Sequence, residues 1–385
     1  MGLGKRIITA DATAFVATEN FAPFIYTGNG GTQALNVGFQ PDWVWIKPRE
    51  VTRNHGSYDT LRGASQVLKN DTTAVESDLG SNGVTVFGSN GFTVVDNSDG
   101  DNNANGAAGG TNSGTNGTYA SWVWKAGGAP TATNSGGSSP TSGSVMIDGV
   151  ASTATLAGDL FPNKLSANTA AGFSIVQFTA TGGTKTVAHG LSAAPDMIIA
   201  KSQTVGENWV VYHKDIPSTP NQYMEWDSDE APIDDTVWND TQPTSSVFSI
   251  GNPSLINTSS SSTIAYCFHD VSGYQKFGKY TGNNSTTNRI YTTDDGSSSG
   301  ANGFQPRFLM LKKITSGNPK AGWNLLDSAR SAANPRAHRL VVNSNGAENL
   351  NTAFNVNFNS DGFTIATTDV DWNADSVEYL YWVIA

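Results

Sequence analysis

The chain has 385 residues, with 41 Gly, 15 Pro and a single Cys, a formal charge of -11 and only 14% charged side chains. Ten Trp, eleven Tyr and seventeen Phe carry too much apolar surface for a chain that stays solvated, which excludes disorder throughout, and the acidic balance offers no surface to neutralise phosphate, which excludes nucleic acid. No run approaches the length of a membrane helix and the N-terminus lacks the apolar stretch of a signal peptide, so synthesis in the cytosol without membrane insertion is expected.

In chain order, residues 1–20 read as an N-terminal attachment arm. Tyr26-Thr-Gly-Asn-Gly30 then closes an aromatic strand as a hairpin turn. In Gly38-Phe-Gln-Pro-Asp-Trp-Val-Trp-Ile-Lys47 the proline cannot donate to a ladder, so it marks a strand start, and the apolar run behind it reads as a buried strand. A short strand at His55–Asp59, a second beat at Asn90–Val95 and a third at Thr118–Lys125 complete the unit. The same beats return in the same order. The first recurs as Gly190–Lys201 and Gly303–Lys312, the second as Ser246–Ile250 and Asp361–Ile365, and the third as Thr263–His269 and Val377–Val383, with Tyr119, Ala265 and Tyr379 at matching places.

Three units therefore tile the chain at 21–128, 172–273 and 274–385, with a Gly/Ser/Thr-rich linker at 129–171 expected to lie extended over a domain surface. No window shows sustained helical periodicity, and units of this length suit two-sheet sandwiches better than propeller blades. The expected fold is all-β, three tandem concanavalin-like or jelly-roll sandwich modules. Trp43, Trp45, Trp122 and Trp124 lie in pairs two apart, one strand face each, which predicts core or inter-domain packing.

Glu225-Trp-Asp-Ser-Asp-Glu230 has the Glu-x-Asp-x-x-Glu spacing that retaining glucanases use. The repeat argues against that use, because it sets Gln222–Asp227 over Gln66–Asp71 and His338–Asn343, the end of a strand running into a turn. No catalytic residue is therefore assigned and the chain is expected not to be an enzyme. Asp96–Asn105 offers oxygen ligands for Ca²⁺ but matches no EF-hand template. His55, His189, His213, His269 and His338 fall in different beats without zinc spacing, and Cys267 lies in an apolar beat as a buried thiol. No metal and no cofactor is expected. Trp226, Trp238 and Trp372 stand among acidic and turn residues and are the candidates for exposed rings that stack on sugars.

Gly38–Lys47, Tyr119–Gly128, Ala193–Ile199, Asn208–Lys214, Ala265–Phe268 and Gly273–Asn283 together resemble a repeat family found in tail-fibre and other virion proteins of tailed phages, marine and cyanobacterial ones above all. The resemblance runs from Phe21 to Ala385 and carries no functional residues with it. It implies a virion structural protein, assembled in the particle after synthesis in the host cytoplasm. The expected role is a tail-fibre or tail-tip protein that binds host-surface carbohydrate. A head-decoration or tail-adaptor protein is the alternative, and a polysaccharide depolymerase resting on Glu225, Asp227 and Glu230 a weaker one. The partners implied are its own copies, a homotrimer first, other virion proteins through the N-terminal arm, and host glycan through loops such as Asp96–Gly117.

Overall fold

The computed structural model describes residues 15–96, 117–251, 253–315, 322–350 and 354–385. The first unit runs β1 (Phe21–Thr27), β2 (Thr32–Asn36), β3 (Trp43–Pro48), β4 (Gly56–Asp59), β5 (Gln66–Lys69), β6 (Ser77–Asp78), β7 (Gly83–Gly88), β8 (Gly91–Val95) and β9 (Thr118–Trp124). The next stretch runs β10 (Val145–Ile147), β11 (Val150–Ala151), β12 (Lys164–Asn168), β13 (Phe173–Thr179), β14 (Lys185–Ala188), β15 (Met197–Ser202), β16 (Val210–His213), β17 (Gln222–Glu225), β18 (Ile233–Asp234), β19 (Val247–Ile250) and β20 (Ser262–Phe268). The last holds β21 (Gln275–Thr281), β22 (Asn288–Tyr291), β23 (Phe308–Lys313), β24 (Asn324–Asp327), β25 (His338–Val341), β26 (Asn349–Leu350), β27 (Val356–Asn359), β28 (Gly362–Ile365) and β29 (Glu378–Ile384). Among the described residues α-helix is confined to α1 (Ser254–Asn257) and α2 (Val370–Asn373).

The chain is all-β, and its units are sandwich modules of one topology. Module 1 stacks a six-stranded sheet, ordered β1-β9-β3-β4-β5-β6, on the three-stranded sheet β2-β8-β7. Module 3 repeats this as β21-β29-β23-β24-β25-β26 with β22-β28-β27. Module 2 has the same six as β13-β20-β15-β16-β17-β18, and β14-β19 as its smaller sheet. Pro41, Pro195 and Pro306 each stand two residues before the central strand they introduce.

Two readings of the sequence need correction. Residues 129–171 do not simply connect modules, because β10 pairs parallel with β12, and β12 pairs with β13, extending the large sheet of module 2 by three strands at one edge. The register pairs Trp43 with Trp124, Met197 with Phe268 and Phe308 with Ile384, so Tyr119 and Tyr379 correspond to Thr263 and not to Ala265. The aromatic at Tyr266 suggests the wrong phase because alternate residues of that strand are apolar on both faces.

Both faces of each large sheet are covered, which is why β3, β15 and most of β23 and β29 are buried at consecutive residues. One face packs on the module's own small sheet: Val44, Ile46 and Val123 meet Leu35, Phe92 and Val94 in module 1. The other face turns to the other two modules. Trp43, Trp45, Trp122 and Trp124 join Met197, Ile199, Tyr266, Phe268, Phe308, Met310 and Trp382 in one cluster shared by all three. Rings cross every boundary there: Trp43 to Tyr266 at 4.4 Å, Phe268 to Trp382 at 4.6 Å, and Trp124 to Trp382 at 5.7 Å. The period-two Trp pairs are thus inter-module packing, and the three modules surround a common core in pseudo-threefold fashion.

The seams follow the same pseudo-symmetry in a fixed sense. The residue before each short strand donates from its ring to the carbonyl of the last residue of β5, β17 or β25 in a neighbouring module. Trp209 Nε1 donates to Lys69 O (3.0 Å), Trp323 Nε1 to Glu225 O (2.8 Å), and His55 Nε2 to Val341 O (3.1 Å). His55 fills this role as a neutral ring, since burial holds its pKa well below the usual value while Nδ1 accepts from Trp45 Nε1. One turn further on, Arg49 pairs with Glu348 at 2.7 Å, and Gln203 Nε2 donates to Glu76 at 2.9 Å.

The lysine that ends each first beat is buried at the same level. Lys47 Nζ donates to Pro48 O and Asn345 O, Lys201 Nζ to Ser202 O and Val205 O, and Lys312 Nζ to Lys313 O, Asp229 O and Glu230 O. Backbone carbonyls replace water around each ammonium, yet burial still pulls Lys312 down to about 7. A lysine of the unfolded chain titrates near 10.5, so between these values the unfolded state holds the extra proton and the folded state gains stability as pH rises. Urea unfolding of the wild type and of Lys312→Met at pH 7.0 and 9.5 measures this. The gain on going to pH 9.5 should shrink in the variant by about 1–3 kcal/mol, whereas identical pH dependence would show that Lys312 keeps an ordinary pKa.

Candidate functional site

The acidic motif lies on a seam. Glu225 is the last residue of β17, and Trp226 to Glu230 form the turn that Lys312 of module 3 grips by its carbonyls. Asp227 Oδ1 accepts the Trp209 N–H at 3.0 Å, in the place where Asp71 Oδ1 accepts His55 N–H (3.1 Å) and Asn343 Oδ1 accepts Trp323 N–H (2.9 Å). An amide serves as well as a carboxylate there, so the position requires an oxygen acceptor and no charge. Burial raises Asp227 to about 6 and raises Glu225, which disfavours the ionised forms. Glu230 N donates to Ser228 Oγ at 3.0 Å, a local turn contact.

The three tryptophans chosen for sugar stacking offer no face to a ligand. Trp226 is 0% exposed and sits in the shared core, 5.0 Å from Trp323 and 5.9 Å from Trp45. Trp238, 1% exposed, ends a 3-10 turn at Thr236–Trp238 and packs on Tyr212 and Phe248 inside module 2. Trp372, also 1% exposed, belongs to α2 and stacks on Phe354 inside module 3. Their polar neighbours misled the sequence reading because those residues cap the turns. Asp235 accepts from Thr236 N and Asp369 from Asp371 N, which drives the following ring inward.

Other motifs are similarly absorbed. Burial raises the Cys267 thiol pKa and leaves the group in the module 2 core. His213 is held down to about 3 by burial, and its Nε2 faces Tyr381 O across a seam. Among the described residues no three His, Cys, Asp or Glu side chains gather to hold a metal. Residues 97–116 of the Asp96–Gly117 loop, with most of the Ca²⁺ candidate, lie outside the described residues. Its ends are fixed by Asp96 N to Gly31 O and Gly28 N to Gly117 O, and the matching connections of modules 2 and 3 are shorter and hold α1 and α2.

A cleft of about 560 Å³ opens where module 1 meets β10 to β13. Asp42 opens β3 on one side and Lys125 follows β9, while Asp148 comes from the β10–β11 turn and Asn168 from the end of β12. Asp42 is buried, accepting from Thr60 Oγ1 (3.0 Å), Ala126 N (2.8 Å) and Gly128 N (3.1 Å), and burial raises it to about 6. Gly127 lies against the carbonyls of Met146 and Ala167 with no room for a Cβ, so the glycine lets the two walls close on each other. Asn168 Nδ2 ties the walls by donating to Asn20 Oδ1 and Lys125 O. The side chains of Gln40 and Lys125 make no hydrogen bond with the described residues. No pattern in the sequence announces this cleft, because half of it comes from the presumed linker.

Two stretches, residues 17–149 and 146–385, match the family model described as Domain of unknown function (DUF7483), and together they span nearly the whole chain. The chain belongs to that family. The second match begins at β10, where the strands that extend module 2 begin. No curated protein matches the chain.

The seam role of Asp227 is testable. Asp227→Asn should leave the urea midpoint near the wild-type value at pH 7, as Asn343 already does this work in module 3, whereas Asp227→Ala leaves the Trp209 N–H unpaired and should cost about 1–3 kcal/mol. Equal destabilisation by both, or loss of a polysaccharide-cleaving activity in Asp227→Asn, would return the motif to candidate catalytic status.

Proposed function

We propose that this member of the family is a non-catalytic structural protein of a tailed-phage virion, a tail-fibre or tail-tip part that binds host-surface carbohydrate. The observation that carries the reading is the fate of the motifs that resemble virion proteins. Gly38–Lys47, Asn208–Lys214 and Tyr119–Gly128 supply the central strands, the shared aromatic core and the seam lysine Lys47. A signature spent on packing suits a rigid carrier whose recognition surfaces are its variable connections. The acidic motif is likewise spent on a seam, which supports a carrier over a depolymerase.

Assembly belongs to the same reading. The faces that a separate trimer of single modules would bury are already paired within one chain, so any homo-oligomer, a trimer first, forms through outer surfaces. The N-terminal arm at 1–20, of which residues 1–14 lie outside the described residues, is left to contact other virion proteins. Mass spectrometry and immunogold labelling of purified particles test the assignment, together with adsorption assays in which soluble protein competes for the host. Labelling at the tail with blocked adsorption is the expected result. Labelling over the head with unchanged adsorption would assign the chain to decoration, and absence from particles would overturn the virion reading.

A further inference from the structure

We propose that the cleft between module 1 and the β10–β13 edge is a binding site for a neutral saccharide unit. This rests on the carbohydrate-binding reading above, and it gives that reading a place the buried tryptophans cannot provide.

The volume of about 560 Å³ falls within the range of small-molecule sites. Its free groups are of both kinds. Lys125 and the Gln40 amide offer N–H donors, and neither side chain makes a hydrogen bond with the described residues, although the Lys125 charge acts on Asp42. Asp148 and Asp42 offer carboxylate oxygens. Each Asp148 oxygen accepts one bond from Thr169, and Asp42 Oδ1 accepts one, from Thr60, so lone pairs remain on both groups. Met146 supplies an apolar wall beside them. Vicinal hydroxyls on a sugar both donate and accept, and they match a cleft that alternates ammonium, amide and carboxylate, while the C–H face of the ring matches methionine. A single ammonium facing two carboxyl groups gives an anionic sugar no net attraction.

The cleft is also built only once. The equivalent of Asp42 in module 2, Asp196, is occupied by Lys214 at 3.1 Å and by Asp270 N. In module 3 the position is Arg307, which donates to Ala385 O and Phe21 O. Only after module 1 does the connection fold into β10, β11 and β12 and raise a second wall. The walls are set by backbone contacts, Gly149 N to Gly127 O and Asp148 N to Ala167 O, so the site is formed without ligand.

Saturation-transfer difference NMR on the full chain tests the proposal. The probes are methyl α-D-glucopyranoside, methyl β-D-galactopyranoside, N-acetylglucosamine and galacturonate. At least one neutral sugar should show transfer, and Lys125→Ala and Asp148→Ala should each weaken its binding about tenfold. Ala170→Trp, at the exposed rim and with every polar group kept, should abolish it. Binding that persists in all three variants would move the sugar site elsewhere, overturning the cleft while leaving the carbohydrate reading intact. No transfer from any probe, or preference for galacturonate, would also overturn it. Particle labelling decides the virion reading independently of either result.

Discussion

Each six-stranded sheet has two apolar faces, and a module's own small sheet can cover only one. This constraint organises the molecule. Three modules leave three uncovered faces, and turning them toward a common axis buries all of them at once, with Trp43, Trp124, Phe268 and Trp382 in contact across the boundaries. The aromatic side chains suit the place because each buries a large area and stacks at several angles, so three non-identical modules can fill one core. The chain needs no disulfide, and its one cysteine is an ordinary core residue.

The pseudo-symmetry also shows which polar interactions the seams require and which are replaceable. Asp59 with Arg62 and Asp327 with Arg330 are buried ion pairs, and each aspartate also accepts from a neighbouring module, from Tyr266 OH and from Trp122 Nε1. At the matching positions module 2 has His213 and Ile216, with the histidine neutral, and Trp382 Nε1 donates to Gln275 instead. Both charges are lost together. Removing either arginine alone would leave its buried aspartate without a counter-charge, while exchanging both members for uncharged groups keeps the seam closed. Position 70 differs: Asn70 stands where the other modules have Trp226 and Val342, and neither its side-chain nitrogen nor its side-chain oxygen has a partner among the described residues.

Much of the architecture is legible in the sequence because the repeat sits on the residues that pack. Pro41, Pro195 and Pro306 mark strand starts, the period-two tryptophans mark the shared face, and the alignment of Asp227 with Asp71 and Asn343 anticipates a common turn. Periodicity fails where a strand is buried on both sides. That is how Ala265 took the place of Thr263. Composition fails where polar residues cap turns, as Asp235 and Asp369 do, since the tryptophans behind them point inward. The cleft is illegible for a different reason: Asp42, Lys125, Asp148 and Asn168 are brought together by pairing of β12 with β13, and a Gly/Ser-rich stretch gives no sign of that pairing.

The consequence for function is a division of labour. The interior and seams take up the acidic motif and the tryptophans that the sequence singles out, and under the proposed carbohydrate-binding role the surfaces left to carry it are the connection after module 1 and the outer loops. That account depends on the three modules being one folding unit. Differential scanning calorimetry of the intact chain tests it most directly. A shared core predicts a single transition whose calorimetric and van't Hoff enthalpies agree, and three resolved transitions with independent midpoints would contradict it.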